Sequence, residues 1–117
     1  MKTDEHKIQA SIVAYLDRVL PPYVRAVAVS NKPRSAIQGA MEKARGARKG
    51  FPDLLLIREQ GLCGAIEVKA EGGKLSPEQK EWRDWFARNA VPYAVVRSID
   101  DVQQTLAEWQ VKTKAAA

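Results

Sequence analysis

Gly50-Phe51-Pro52-Asp53-Leu54-Leu55-Leu56-Ile57-Arg58-Glu59-Gln60-Gly61-Leu62-Cys63-Gly64-Ala65-Ile66-Glu67-Val68-Lys69 is the stretch on which the fold turns. Leu54 to Ile57 is a continuous apolar run, the pattern of a strand buried on both faces. Glu59-Gln60-Gly61 reads as a turn, and Leu62 to Lys69 as the returning strand of a hairpin. Alternate residues of a strand share a face, so Glu67 and Lys69 project together while Ile66 and Val68 turn into the core. A Glu and a Lys side by side at the end of an apolar strand are expected at the rim of the sheet. Pairing through the turn brings Asp53, at the start of the first strand, beside Glu67.

Working outward, Ile8, Ile12, Tyr15, Leu16 and Val19 repeat at helical spacing, which predicts an amphipathic helix over residues 4–20, stopped by Pro21-Pro22. Val24 to Val29 alternates and is β-branched, as a strand would be. Pro33, Gly39, Gly46 and Gly50 break the segment that follows, within which residues 36–45 can form a short helix. Past Gly72-Gly73, Ser76-Pro77-Glu78-Gln79 is a helix start with Ser as cap, Pro at the first position and Gln at the third. Trp82, Trp85 and Phe86 are expected to form its buried stripe, and the helix should end near Asn89. Tyr93 to Arg97 reads as a strand. Ser98-Ile99-Asp100-Asp101 caps a last helix with Ile99, Val102, Leu106 and Trp109 on one face, and a tail at 112–117 is expected to fray. The predicted order is α-β-β-β-α-β-α, an α/β fold with one mixed central sheet flanked by helices.

A chain of 117 residues, 45% hydrophobic, with three Trp, suits one domain over 1–117 with a core of its own. The lone Cys63 cannot form an internal disulfide and reads as a small core residue. No apolar run approaches the roughly 18 residues of a membrane span, and Met1-Lys2-Thr3-Asp4-Glu5 is no signal peptide, so a cytoplasmic protein without membrane contact is expected. His6 is the only histidine, which excludes nucleases built on several His ligands and argues against a zinc site. The net charge is +5, and residues 31–50 account for it: Lys32, Arg34, Lys43, Arg45, Arg48 and Lys49 stand against Glu42 alone. Such a basic segment on an otherwise balanced chain is the footprint of a polyanion partner; alone, it would more simply be a solvated loop. Asn31 and Lys32, at the end of the first strand, are further candidates for touching phosphate.

Asp53 beside Glu67 is the constellation with chemistry in it. Carboxylates a few Å apart repel, and one neutralises unless a cation holds both. Oxygen ligands of this kind suit Mg²⁺ or Mn²⁺, which keep several waters for a substrate phosphate. Lys69 would position an attacking water or offset charge developing on the phosphate. The ordinary alternative is a cross-strand salt bridge between Lys69 and one of the acids, for Glu-x-Lys alone is a weak signal.

Gly50-Phe51-Pro52-Asp53-Leu54, Ile66-Glu67-Val68-Lys69 and Gly73-Lys74-Leu75-Ser76-Pro77-Glu78-Gln79 together resemble the VRR-NUC family, the virus-type replication-repair branch of the PD-(D/E)xK nucleases, from Glu5 to about Trp109. The resemblance implies a restriction-endonuclease-like domain that hydrolyses DNA phosphodiester bonds with Mg²⁺ or Mn²⁺. It implies Asp53 and Glu67 as metal ligands, with the Val68 carbonyl alongside, and Lys69 as the catalytic lysine. It also implies that Glu5 contributes to the metal site; an acid at the positive end of a helix is the plain alternative. Gln79 has a structural role in its capping box, and the resemblance brings it near the active centre as well. Gln9, one turn after Glu5, is more simply a solvated helix residue. Related exonuclease-like branches carry a Tyr four residues after that Gln; Arg83 stands there instead, so that role does not transfer. Single-domain members resemble homodimeric nucleases that cut branched DNA such as four-way junctions, in a bacterium or a phage-infected host cell. The rival readings are a catalytically silent DNA-binding module of the same fold and a basic accessory protein that binds RNA or protein.

Overall fold

Ile12, Leu16 and Val19 lie on one stripe of the first helix, α1 (Glu5–Val19), and all three are buried, as their spacing demands. The computed structural model describes residues 5–29 and 35–114. After α1 come β1 (Val24–Ala28), α2 (Ala36–Ala44), β2 (Leu54–Arg58), β3 (Gly61–Val68), α3 (Pro77–Arg88), β4 (Tyr93–Val96) and α4 (Ile99–Glu108). The sheet order is β1-β2-β3-β4; the first two pairings are antiparallel and β3 runs parallel to β4. The fold is therefore the expected mixed sheet with helices, and α3 is the crossover that a parallel β3–β4 pair requires. Among the described residues no helix is long and apolar enough to cross a membrane.

One face of the sheet carries the main core. Val24, Leu54, Leu56, Ile66, Val68 and Val96 pack there against Ile12 and Leu16 of α1 and Val102 and Leu106 of α4. Between Leu56 and Ile57 the β2–β3 register slips, and buried Cys63, the residue skipped, joins the core; its burial pushes the thiol pKa up. Trp109 lies across β3 at Gly64, where a Cβ would stand 2.5 Å from the indole ring, so only glycine permits this approach. β3 is buried on both faces from Cys63 to Val68: it has a strand on each side, α1 packs on it, and the Gln79 side chain reaches over Glu67 on the opposite face.

Three expectations change. The short helix within the basic segment exists as α2, capped by Ser35, whose Oγ accepts the Gln38 N–H at 3.1 Å, which makes the order α-β-α-β-β-α-β-α. α2 buries none of its residues, and Ile37 and Met41 are exposed. The stripe on α3 is not buried throughout: Phe86 is, Trp82 only partly, and Trp85 is 45% exposed. α3 meets the sheet at the edge strand β4, so it lacks a broad floor for three large rings. The tail is held as far as Lys114, whose N–H donates to the Val19 carbonyl at 2.7 Å, while residues 115–117 lie outside the described residues. Asn31, Lys32 and Arg34 lie outside the described residues.

Candidate active site

Leu54 pairs with Ile66, so Asp53 and Glu67 are the next positions along the hairpin and meet as its register requires. Asp53 is fixed twice. Its Oδ2 accepts the Val68 N–H at 2.8 Å, and its carbonyl accepts the Val29 N–H at 2.8 Å. Glu67 is not at a solvated rim, as its position near a strand end suggests, but only 2% exposed, and Lys69 is 9% exposed. The reason is tertiary: β3 is a central strand, and the Gln79 side chain from the first turn of α3 reaches over Glu67.

Gln79 makes that contact. Its Nε2 donates to Glu67 Oε2 at 3.0 Å while its Oε1 accepts the Ser76 N–H at 2.8 Å. The capping role and the approach to the site are thus two ends of one amide, and the Ser76 cap aims the Gln at the Glu. Among the described residues Glu67 Oε1 has no hydrogen-bond donor although it is fully buried. The Asp53 and Glu67 carboxyls are within hydrogen-bonding reach of each other, which two bare acceptors can exploit only with a proton or a cation between them.

Electrostatics reports the same crowding. Burial, then the charge and hydrogen bond of Asp53, push the Glu67 carboxyl up to about 9; Lys69 pulls it down and Glu5 adds to the rise. Glu5, at the start of α1, is therefore close enough to be felt. A Cβ built at Gly73 would lie 3.7 Å from both Glu5 Oε2 and the Lys69 side chain, so these two flank one glycine. Asp53, Glu67, Lys69, Glu5 and Gln79 thus converge from β2, β3, α1 and α3. Gln9 instead lines a groove on α1 with His6 and Asp17.

One residue without a signal in the sequence joins the neighbourhood. Tyr93 follows the alternation of β4 onto the Glu67 face, opposite Ala65 in register. Its ring stacks on Phe86, and burial followed by the charge of Glu67 holds its phenol far above the usual range, with Arg83 opposing. Only the parallel β3–β4 register, which a sequence does not print, could have located it. Of the basic segment, Lys43, Arg45, Arg48 and Lys49 are all exposed, and the Lys49 carbonyl is tied to α3 by the Trp82 Nε1–H at 3.1 Å.

Which residues could hold a cation follows from their unused lone pairs. Glu67 Oε1 is the clearest, with Asp53 beside it. Among the described residues no three acid, His or Cys side chains close into a ready-made cage. Mg²⁺ does not require one, because it is bound through one or two carboxylates and keeps its waters.

The buried carboxyl has a consequence for stability. Below about pH 4.5 Glu67 is protonated folded or unfolded; above it the unfolded chain releases a proton that the native protein keeps until about pH 9. Stability therefore falls as pH rises through that window. Glu67→Gln, which cannot titrate and can still accept from Gln79, should make the metal-free protein more stable by about 2–3 kcal/mol at pH 7. Denaturant melts in EDTA from pH 4 to 9 should show the gap widening with pH; a constant gap, or a less stable variant, would refute it.

The family model for the VRR-NUC domain matches residues 3–100. The chain belongs to the VRR-NUC family. Over 51 residues it is 43% identical to a Fanconi-associated nuclease 1 homolog of Caenorhabditis briggsae, a stretch covering 43% of this chain and 6% of that protein. The chain thus corresponds to a small part of that relative's length. A solved structure described as a VRR_NUC domain protein superposes with a TM-score of 0.67 at 22% identity, covering 93% of this chain and 89% of the other. A second, described as a VRR_NUC domain, gives 0.59 at 24% identity, covering 89% and 94%. At such identities the two structures establish the fold, and the family match makes this VRR-NUC domain a nuclease-family domain.

Proposed function

We propose that this VRR-NUC domain is a deoxyribonuclease that hydrolyses phosphodiester bonds with Mg²⁺ or Mn²⁺ held by Asp53 and Glu67, the Val68 carbonyl and Glu5 completing the set. The observation that carries the reading is the buried Glu67 Oε1, without a donor among the described residues, in a carboxyl that stands beside that of Asp53. A fold rarely keeps such an atom unless something binds it. When bound, the cation would lower the pKa of a water and offset negative charge on the phosphate.

The remaining work falls to the chain. The Val68 N–H fixes the Asp53 carboxylate, and Gln79 fixes Glu67, so neither must reorganise as charge develops. Lys69, drawn in beside Glu67, orients the attacking water or faces the charge growing on the phosphate. Lys43, Arg45, Arg48 and Lys49, with Lys32 and Arg34 in the same segment, would engage DNA phosphates.

Nicking of supercoiled plasmid with Mg²⁺ beside EDTA tests the activity. No nicking with intact DNA binding would favour a catalytically silent module, and no DNA binding at all an RNA- or protein-binding accessory role. A second readout is independent of turnover: Mg²⁺ should raise the thermal midpoint of the wild type and leave Glu67→Gln unmoved.

The finer reading is a homodimer acting on branched DNA such as four-way junctions, in the cytoplasm of a bacterium or a phage-infected cell. A twofold dimer supplies two sites for two strands. Tyr23, Val27, Ile57 and Leu62 are exposed on or beside the β1–β2 end of the sheet, an apolar surface for a second copy. Light scattering that gave 13.0 kDa would sink the dimer, and equal cleavage of junction and linear duplex would sink the selectivity.

A further inference from the structure

α3 carries more aromatic surface than the fold uses. Phe86 is buried and stacks on Tyr93 with centroids 5.6 Å apart and planes 25° from parallel. Trp82 meets Phe51 edge-on at 4.9 Å and is anchored through its indole N–H to the Lys49 carbonyl. Among the described residues Trp85 has no such anchor. It is 45% exposed, and its ring neighbours Trp82 and Phe86, both 5.7 Å away, incline at 73° and 75°, so neither stacks parallel on it. Leaving so large an apolar side chain half in water forgoes about 1 kcal/mol or more of burial.

Trp85 and Trp82 stand in an open groove of about 650 Å³ whose cations are Arg48, Lys49 and Arg88. Glu81 and Asp84 are its acids, but Asp84 already pairs with Arg83 at 2.9 Å. Lys49 lies 3.6 Å from Glu78 in an exposed pair, a contact weak enough to yield to a phosphate. A groove serving only the duplex backbone would gain from cations alone. Indole rings among guanidinium and ammonium groups suit a ligand with a flat π-face and a negative charge. A volume of this size accommodates a nucleotide.

We propose that this groove holds an unpaired base of a single-stranded DNA segment next to the scissile phosphate, with Trp85 as the stacking platform and Arg48, Lys49 and Arg88 on the flanking phosphates. The proposal rests on the nuclease reading and narrows its branched DNA to structures with a single-stranded element, which a fully paired four-way junction lacks. Two structural links join the groove to the site. Gln79, which touches Glu67, and Trp85 are on the same helix, about 9 Å apart along its axis and about 120° apart around it, so a strand leaving the site would wrap the helix start to reach Trp85. Arg48 and Lys49 lead through Gly50 to Asp53. Bases inside a duplex are stacked on each other and cannot offer a face to Trp85, whereas every unpaired base can.

Binding in EDTA separates this proposal from cleavage. The full chain would be titrated with a hairpin duplex bearing a single-stranded tail and with the same hairpin blunt-ended. Trp85→Ala should weaken the tailed DNA by about tenfold or more, the range of one lost base stack, and leave blunt DNA nearly unchanged. Trp85→Phe should recover much of the loss, and Arg88→Ala should also act mainly on the tailed DNA. Circular dichroism checks that each variant folds, which a half-exposed side chain permits. Equal losses on the two DNAs, or no loss for Trp85→Ala, would overturn the groove. Plasmid nicking by the wild type is scored separately. Nicking with an indifferent Trp85 defeats this proposal alone; a tail-specific Trp85 effect without nicking defeats the nuclease reading alone.

Discussion

Asp53→Asn, Glu67→Gln and Lys69→Ala should each reduce plasmid nicking by at least about a hundredfold while DNA binding persists. Asp53→Asn removes one anionic ligand and puts an amide where the Val68 N–H is accepted at 2.8 Å, a geometry the amide oxygen can still satisfy. Glu67→Gln likewise keeps the acceptor for Gln79 Nε2 and deletes only the charge. Neither touches the exposed cations of residues 43–49, so affinity for DNA should survive. Lys69→Ala is the harsher change, because Lys69 is 9% exposed and its ammonium is the favourable neighbour of Glu67. It should lose activity and some stability together. The salt-bridge reading of the same residues makes the opposite forecast: all three variants would unfold more easily, Glu67→Gln included. Circular dichroism melts and nicking on the same samples decide between them. A stabilised, inactive Glu67→Gln is the combination that a structural ion pair cannot produce.

The second large effect is expected at Gly50, far smaller in side chain than any catalytic group. Its φ is +80°, and a Cβ there would stand 2.6 Å from the Glu78 carbonyl carbon and 2.8 Å from the Gln79 nitrogen. These are backbone atoms in the first turn of α3, so relief requires the helix start or the loop to move. Gly50→Ala should cost about 3 kcal/mol, combining left-handed strain of about 1 kcal/mol with overpacking. The midpoint should fall by about 10 °C or more. Because this contact seats Gln79 over Glu67 and leads into Asp53, nicking should fall even in the fraction that stays folded. Gly46→Ala is the control: its φ is +109°, but among the described residues nothing lies within 4 Å of a Cβ there. It should show the strain alone and little loss of nicking. If the two variants proved equal in melting and activity, the close approach of Gly50 to α3 would not matter.

Much of this domain is written locally. The apolar run Leu54–Ile57, the turn at Gly61 and the period-two pattern of Ile66 to Lys69 specify a hairpin, and a hairpin register suffices to bring Asp53 to Glu67. The Ser76 and Ser98 caps are equally local, since a hydroxyl three residues before its N–H partner needs no other part of the chain. What the tertiary structure alone decided is burial and approach across elements. Whether a strand end is a rim or a floor depends on what covers it, and Glu67 is sunk because β3 is flanked by two strands and Gln79 reaches over it from α3; that burial, with Asp53 beside it, raises its pKa. The same docking leaves Trp85 in water, though helical spacing counts it with Phe86 as core, because spacing defines a stripe and not the width of the surface beneath. Tyr93 joins the site through a parallel pairing whose partners are 28 positions apart in sequence, a separation at which nothing in either segment names the other. Local rules set which atoms could meet; only the packing of helix on sheet determined which of them lost their water.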